Sequence, residues 1–181
     1  MRLIPGRLSF AIKFYLKYKG NLIRYLRNQG VKIGSNCDLL NRPENYGSEP
    51  WLIEIGNDVT LTYGVVLITH DASSRLFRKT LPGSSPYGNR FGKIHILNNC
   101  FIGINSIILP DVTIGPIALL VLVALSSRTF LPTLVAGVPA RIISSLDEYI
   151  GRYQQKLVPI ESDNRDDLRR ELTQFFWGEQ R

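Results

Sequence analysis

The chain has little cysteine, histidine or methionine: two, two and one in 181 residues. Cys37 and Cys100 lie far apart and match no metal or redox spacing, so a disulfide framework is excluded and two free structural thiols in a reducing compartment are expected. Long apolar runs are also missing. The longest, Ile117 to Leu125, is nine residues, where a spanning helix needs on the order of 18 to 20. No acid precedes Asp38, and eight basic residues do: Arg2, Arg7, Lys13, Lys17, Lys19, Arg24, Arg27 and Lys32. From Asp38 to Ile143 eight basic residues face seven acidic ones, so the net charge of +7 is an N-terminal feature and not a basic surface that calls for nucleic acid. Lysines interrupt the apolar residues near the start and no small-residue cleavage site follows them, so a secretory signal is not expected and a cytoplasmic location is.

What is abundant is a six-residue beat. Ile55, Leu61 and Leu67, then after an interruption Ile96, Ile102, Ile108, Ile114 and Leu120, hold one register. Glycine follows at Gly56, Gly103 and Gly115, and the fourth place after each aliphatic is mostly small or β-branched: Val59, Val65, Cys100, Ser106, Val112, Ala118 and Ala124. The pair Ile33-Gly34, with Cys37 and Leu39, belongs to the same lattice. This period fits neither an amphipathic helix nor a hairpin. It predicts a mainly β fold, a parallel β-helix of triangular section in which three hexapeptides make one coil of about eighteen residues. The aliphatic points inward, the small residue fills the interior beside it, and glycine is expected to relieve the corner backbone.

Two stretches break the beat. Asn41 to Ile53 is rich in Pro, Gly and Asn and reads as a loop returning at Trp51-Leu52-Ile53; residues 72–93 have no periodicity and follow directly on Thr69-His70-Asp71. A long loop ejected from a rigid coil is usually functional. The domain plan is therefore a basic amphipathic helix within residues 1–30, the coil over 31–143 with its loop at 72–93, and a helical extension over 144–181. The first helix, Arg7 to Arg27, can either cap the open coil or lie on an anionic membrane surface. In the extension, Ser162-Asp163-Asn164 before Leu168, Leu172, Phe175 and Phe176, with Asp166 and Asp167 in the first turn, marks a helix start, and an earlier helical piece spans about Ser145 to Leu157.

Three stretches, Ile68-Thr69-His70-Asp71, NNCFIGINSIILPDVTIGP and the closing VAGVPARII, make the chain resemble the hexapeptide-repeat acetyltransferases of left-handed β-helix fold, in the branch with galactoside, maltose and polysaccharide O-acetyltransferases. The stretch YGSEPWLIEIGNDVTL before LITHD looks like the subgroup of capsule and lipopolysaccharide gene sets. The resemblance covers roughly Val31 to Ile143. It implies acetyl-CoA as donor, no metal, a saccharide or nucleotide-sugar acceptor and a homotrimer with each site between two subunits.

By that resemblance His70 is the general base that takes the proton of the acceptor hydroxyl, a task that needs a neutral imidazole within hydrogen-bonding reach. A backbone carbonyl or a carboxylate such as Glu49 could orient the ring; Asp71 is not an obvious orienter, because neighbours on an extended chain point to opposite faces. Glu49 and Asn41 are the candidates on the substrate side, with a solvated loop acid as the plain alternative for Glu49. For the donor, the resemblance aligns Phe101 with a position usually held by tryptophan, Ile104 and Leu122 with backbone amide donors, and Ser127-Arg128 and Arg141 with the nucleotide end, where arginines suit phosphates. His95 alternates along a strand and reads as a surface residue.

Competing readings are an N-acetyltransferase on an amino sugar or drug, and a degenerate, non-catalytic β-helix scaffold. The second takes its force from Leu120-Val121-Leu122-Val123-Ala124, where the family has Ile-Gly-Ala-Gly-Ser and side chains at Val121 and Val123 could fill the donor channel. A zinc hydroxide centre of γ-carbonic-anhydrase type needs three histidines and is set aside.

Overall fold

The computed structural model describes residues 21–73, 90–120, 125–126, 134–154, 157–158 and 164–178. The described residues up to Leu146 form one compact unit and those from Asp147 a second.

In the first unit the chain steps round three parallel sheets in turn. β1 (Lys32–Ile33), β3 (Ile53–Ile55), β8 (Ile94–Ile96) and β11 (Val112–Ile114) make the first side; β2 (Asp38–Leu39), β4 (Thr60–Leu61), β9 (Phe101–Ile102), β12 (Leu119–Leu120) and β14 (Leu134–Ala136) the second; β5 (Val66–Leu67), β10 (Ile107–Ile108) and β13 (Leu125–Ser126) the third. The last strand, β15 (Arg141–Ser144), folds back antiparallel on β14. Register follows the beat: Ile114 pairs with Ile96 and Leu120 with Ile102, each eighteen residues on. Inward aliphatics therefore stack as Ile33, Ile55, Ile96, Ile114 on one side and Leu39, Leu61, Ile102, Leu120 on the next. Six of the eight are buried in one core, together with the small fourth-place residues from Val59 to Ala118, and Ile33 and Leu39 pack against it partly buried. Cys100 is buried among them, whereas Cys37 at the end of the coil is half-buried and its thiol donates to the Gly56 carbonyl at 3.1 Å.

The expectation about corner glycines is met at Gly115, which takes φ 93°, and is corrected at two others. Gly34 and Gly56 do not sit at positive φ; they are glycine because the corners stack too closely for a side chain. A Cβ at Gly34 would fall on Asn57 Oδ1, and one at Gly56 on Asn98 Oδ1. Those amide oxygens accept from the Ser35 and Asn57 backbone N–H groups, each at 2.9 Å, and tie one coil to the next. The left-handed turn lies two residues later, at Asn36, Asp58, Gly64, Asn99, Asn105 and Asp111, with φ from 55 to 72°. Asparagine, aspartate and glycine tolerate that conformation best. Ile117, at φ 57°, is the one β-branched residue among the described residues that adopts it.

Most of the helix expected over Arg7 to Arg27 lies outside the described residues, and the part described from residue 21 on packs against the coil. In α1 (Leu22–Asn28) the Asn21 side chain accepts from the Arg24 N–H, Leu26 joins the buried core, and the Arg27 guanidinium donates to the free carbonyls of Ile33 and Gly34 at 2.9 and 2.8 Å. The second unit holds α2 (Leu146–Gln154) and α3 (Arg165–Trp177). Asn164 caps α3 by accepting from the N–H groups of Asp166 and Asp167, at the start read from the sequence. No described helix is long and apolar enough to cross a membrane.

Candidate active site

The site grows out of a missing strand. After β2 the chain does not lay a strand on the third side but leaves the coil, so the pairing of β1 with β3 is offset by 22 residues, as Lys32 with Glu54, and β5 is left at the sheet edge. The departing segment folds over that edge through two 3-10 turns, Pro43–Asn45 and Pro50–Leu52. Asn41 anchors it: the side chain is buried, its amide donates to the Val65 carbonyl at 3.2 Å, and its oxygen accepts from the Tyr46 hydroxyl at 2.7 Å. Burial pushes the Tyr46 hydroxyl well above its ordinary value. Asn41 is thus engaged inside the protein, holding the loop to the strand.

That anchoring delivers Ser48 and Glu49 to His70. The His70 Nδ1–H donates to Glu49 Oε2 at 2.9 Å, Ser48 Oγ stands 3.2 Å from the same nitrogen, and the Thr69 hydroxyl donates to the same carboxylate oxygen at 2.6 Å. The side chains of His70 and Glu49 are 29% and 16% exposed, so the pair is neither sealed nor freely hydrated. Burial acts to raise the Glu49 carboxyl, but the hydrogen bonds from Thr69 and His70 and the imidazole charge outweigh it and hold the group below the usual carboxylate range. A ring held by Nδ1 presents Nε2 outward as the basic nitrogen.

The other wall comes from the long loop, whose ends pair as a short antiparallel ladder. β6 (His70–Asp71) faces β7 (Arg90–Phe91), with His70 opposite Phe91. Their rings stand 5.7 Å apart at 47°, and Phe91 is half-exposed. The stretch read as loop to residue 93 is therefore already paired at 90–91, because the Gly92 N–H donates to the Thr69 carbonyl at 2.9 Å and the Arg90 guanidinium meets Asp111 at 3.3 Å. Asp71 points away and accepts from the Ser73 N–H at 2.8 Å.

Of the donor-side candidates, Phe101 lies exposed on β9, Ile104 stands exposed at the corner before Asn105, and Arg141 opens β15, exposed, donating to the Ala140 carbonyl at 3.0 Å. Among the described residues no hydrogen bond or ion pair joins these three to His70. Leu122, Ser127 and Arg128, and with them Val121 and Val123, fall outside the described residues. Among the described residues no cluster of three or more His, Cys, Asp or Glu is placed to hold a metal. Thr69, Ser48 and Phe91 were not singled out in the sequence. For Thr69 a signal was present, a hydroxyl two residues after inward Leu67 and so itself at an inward place.

The fold of three parallel sides is the one that solved hexapeptide-repeat acetyltransferases carry. One from Vibrio cholerae superposes with a TM-score of 0.57 at 22% identity, over 75% of this chain and 88% of that one. Its complex with acetyl coenzyme A gives 0.53 at 22% identity, over 75% and 85%. A maltose O-acetyltransferase from Clostridium difficile gives 0.53 at 18% identity, over 75% and 84%. In sequence the chain is 48% identical to Protein CapG of Staphylococcus aureus over 104 residues, which is 56% of this chain and 58% of that protein. No family model matches the chain.

Proposed function

We propose that the chain is an acetyl-CoA-dependent O-acetyltransferase with a left-handed β-helix, acting on a sugar hydroxyl in the assembly of a surface polysaccharide. The observation that carries this reading is the hydrogen bond of His70 Nδ1 to Glu49 at the mouth of the ejected loop. His70 Nε2 takes the proton of the acceptor hydroxyl as its oxygen attacks the thioester carbonyl carbon; the tetrahedral oxyanion collapses, the C–S bond breaks, and the imidazolium returns the proton to the leaving thiolate. The ester and free coenzyme A thiol result, and no covalent enzyme intermediate is required. Glu49 keeps the ring in the productive tautomer and offsets its positive charge during transfer, the orienting one of the two roles weighed for it in the sequence.

We assign the donor to the outer surface that carries Phe101, Ile104 and Arg141 and, by the resemblance in sequence alone, to Leu122, Ser127 and Arg128, with the arginines on the phosphates, and the working form to a cytoplasmic homotrimer. Exposed apolar side chains on the coil, among them Phe101, Ile104 and Ile107, support an assembly that covers them. The test is direct. Purified protein mixed with acetyl-CoA and a panel of nucleotide sugars, simple glycosides and amino sugars should release thiol with hydroxyl acceptors. No acetyl-CoA binding at about millimolar donor, a Kd weaker than any useful donor affinity, would leave the scaffold reading in its place; turnover with amines alone would move the reaction to N-acetylation.

A further inference from the structure

Glu49 Oε2 accepts two hydrogen bonds, and the shorter comes from Thr69, not from His70. Thr69 is 1% exposed. A buried hydroxyl requires a partner, and here the partner is a carboxylate at 2.6 Å, within the range of charge-assisted hydrogen bonds. The loop approaches the same hydroxyl from the other side at Gly47. This glycine has φ +64°, and a Cβ on it would come within 2.5 Å of Thr69 Oγ1 and 3.2 Å of Thr69 Cγ2. A side chain there is strained by its backbone and collides with the hydroxyl that donates the shorter of the two bonds to Glu49. Two unrelated features, a buried threonine between β5 and β6 and a left-handed glycine in the loop, thus meet at one oxygen atom.

We propose that Thr69 is a positioning residue for His70: its hydroxyl holds Glu49 in the rotamer that accepts from Nδ1, so that Nε2 remains the free basic nitrogen, and Gly47 provides the space that contact needs. The catalytic consequence rests on the acetyltransferase reading above; the tautomer consequence rests on geometry alone. The competing account is that Thr69 only fills space, in which case valine serves as well.

Thr69→Val keeps the shape and removes the donor, while Thr69→Ser keeps the donor. The chain has two histidines, so imidazole nitrogen NMR of the whole protein, with His95→Ala for assignment, reads the His70 tautomer without any substrate. The wild type and Thr69→Ser should carry the proton on Nδ1. Thr69→Val should shift the population toward Nε2–H, the form a free neutral imidazole favours in water, and an unchanged tautomer in that variant overturns the proposal. Should Thr69→Val fail to fold by circular dichroism, Gly47→Ala, which crowds the hydroxyl from the loop side, carries the same test and the same expectation. In turnover, Thr69→Val should lose about tenfold or more in kcat, as outer-shell partners of a functional histidine do, with KM for acetyl-CoA unchanged and Thr69→Ser near wild type. A tautomer shift in a protein that never turns over supports the positioning role and removes the acetyltransferase reading; full turnover with Thr69→Val does the reverse.

Discussion

The two histidines stand on strands of the same coil, each beside a glutamate, and they differ in what lies behind the glutamate. His95 is on the first side, in register with Glu54 and, beyond it, Lys32. Its Nε2 is 3.7 Å from Glu54, and that carboxylate is also 3.2 Å from the Lys32 ammonium; the His95 and Glu54 side chains are 35% and 49% exposed. This is a ladder of outward side chains that the lattice produces by itself. His70 stands where the lattice fails: a strand is missing below it, a loop is ejected beyond it, and its glutamate arrives from the loop already held by Thr69. Regular pairing places a charge pair in water, whereas an interruption shields both partners in part and fixes their direction. Function on a solenoid is accordingly expected at the breaks of the repeat and not along its faces.

The largest effect that tests this contrast is His70→Ala. On the acetyltransferase reading, loss of the general base proposed at His70 should lower turnover by roughly 10²- to 10⁴-fold, with acetyl-CoA affinity, followed by calorimetry, left near wild type. Unchanged turnover would put the base elsewhere and remove the distinction between the two sites.

Glu49→Ala should come next, at about 10- to 100-fold in kcat, with little change in KM for the donor. The same variant separates the sites by acid stability. The folded carboxyl of Glu49 lies below its ordinary value, so the stabilisation it contributes is present above the unfolded carboxyl pKa of about 4.3 and is lost as pH falls through the folded value. Thermal melts of wild type and Glu49→Ala should differ at neutral pH and converge in acid below that window. A gap of constant size across the range would show that the carboxylate gains nothing from its partners.

Much of this architecture was legible because it repeats. The beat from Ile33 to Leu120 identified the inward column and the small interior places, and Asn164 with Asp166 and Asp167 marked the start of α3, since both patterns are local. The corners were legible too, but through another residue type: Asn36, Asp58, Asn99, Asn105 and Asp111 mark the left-handed position, while Gly34 and Gly56 answer to the coil stacked on them. Glu49 was legible only as one candidate to orient the His70 ring, beside a solvated loop acid, and Phe91 was not legible as a partner of His70 at all. Their placement depends on the path of two loops with no period, and no spacing rule predicts that residue 49 returns to residue 70 or that residue 91 pairs with it.

Ile117 turns the corner pattern into a smaller prediction. It holds the left-handed conformation that the preceding corners give to Asn, Asp or Gly, and a branched Cβ makes that conformation costly by about 1–2 kcal/mol. Ile117→Asn should therefore stabilise the coil by about 1 kcal/mol, seen as a higher urea midpoint at unchanged slope. A lower midpoint would mean that the half-exposed isoleucine side chain contributes more by packing than its backbone loses.

The smallest effect should come from His95→Ala, the counterpart of the first variant. Glu54 keeps Lys32 when the imidazole is removed, the three groups are partly or largely in water, and exposed pairs of this kind contribute about 0–1 kcal/mol. Stability should change by no more than about 0.5 kcal/mol, and turnover should match wild type at every acceptor tested. Because the variant removes the same imidazole from the same coil, it isolates what the loops add at His70. A loss of turnover comparable to that of His70→Ala would show that the regular face takes part in the chemistry and that the contrast between break and lattice does not hold for this protein.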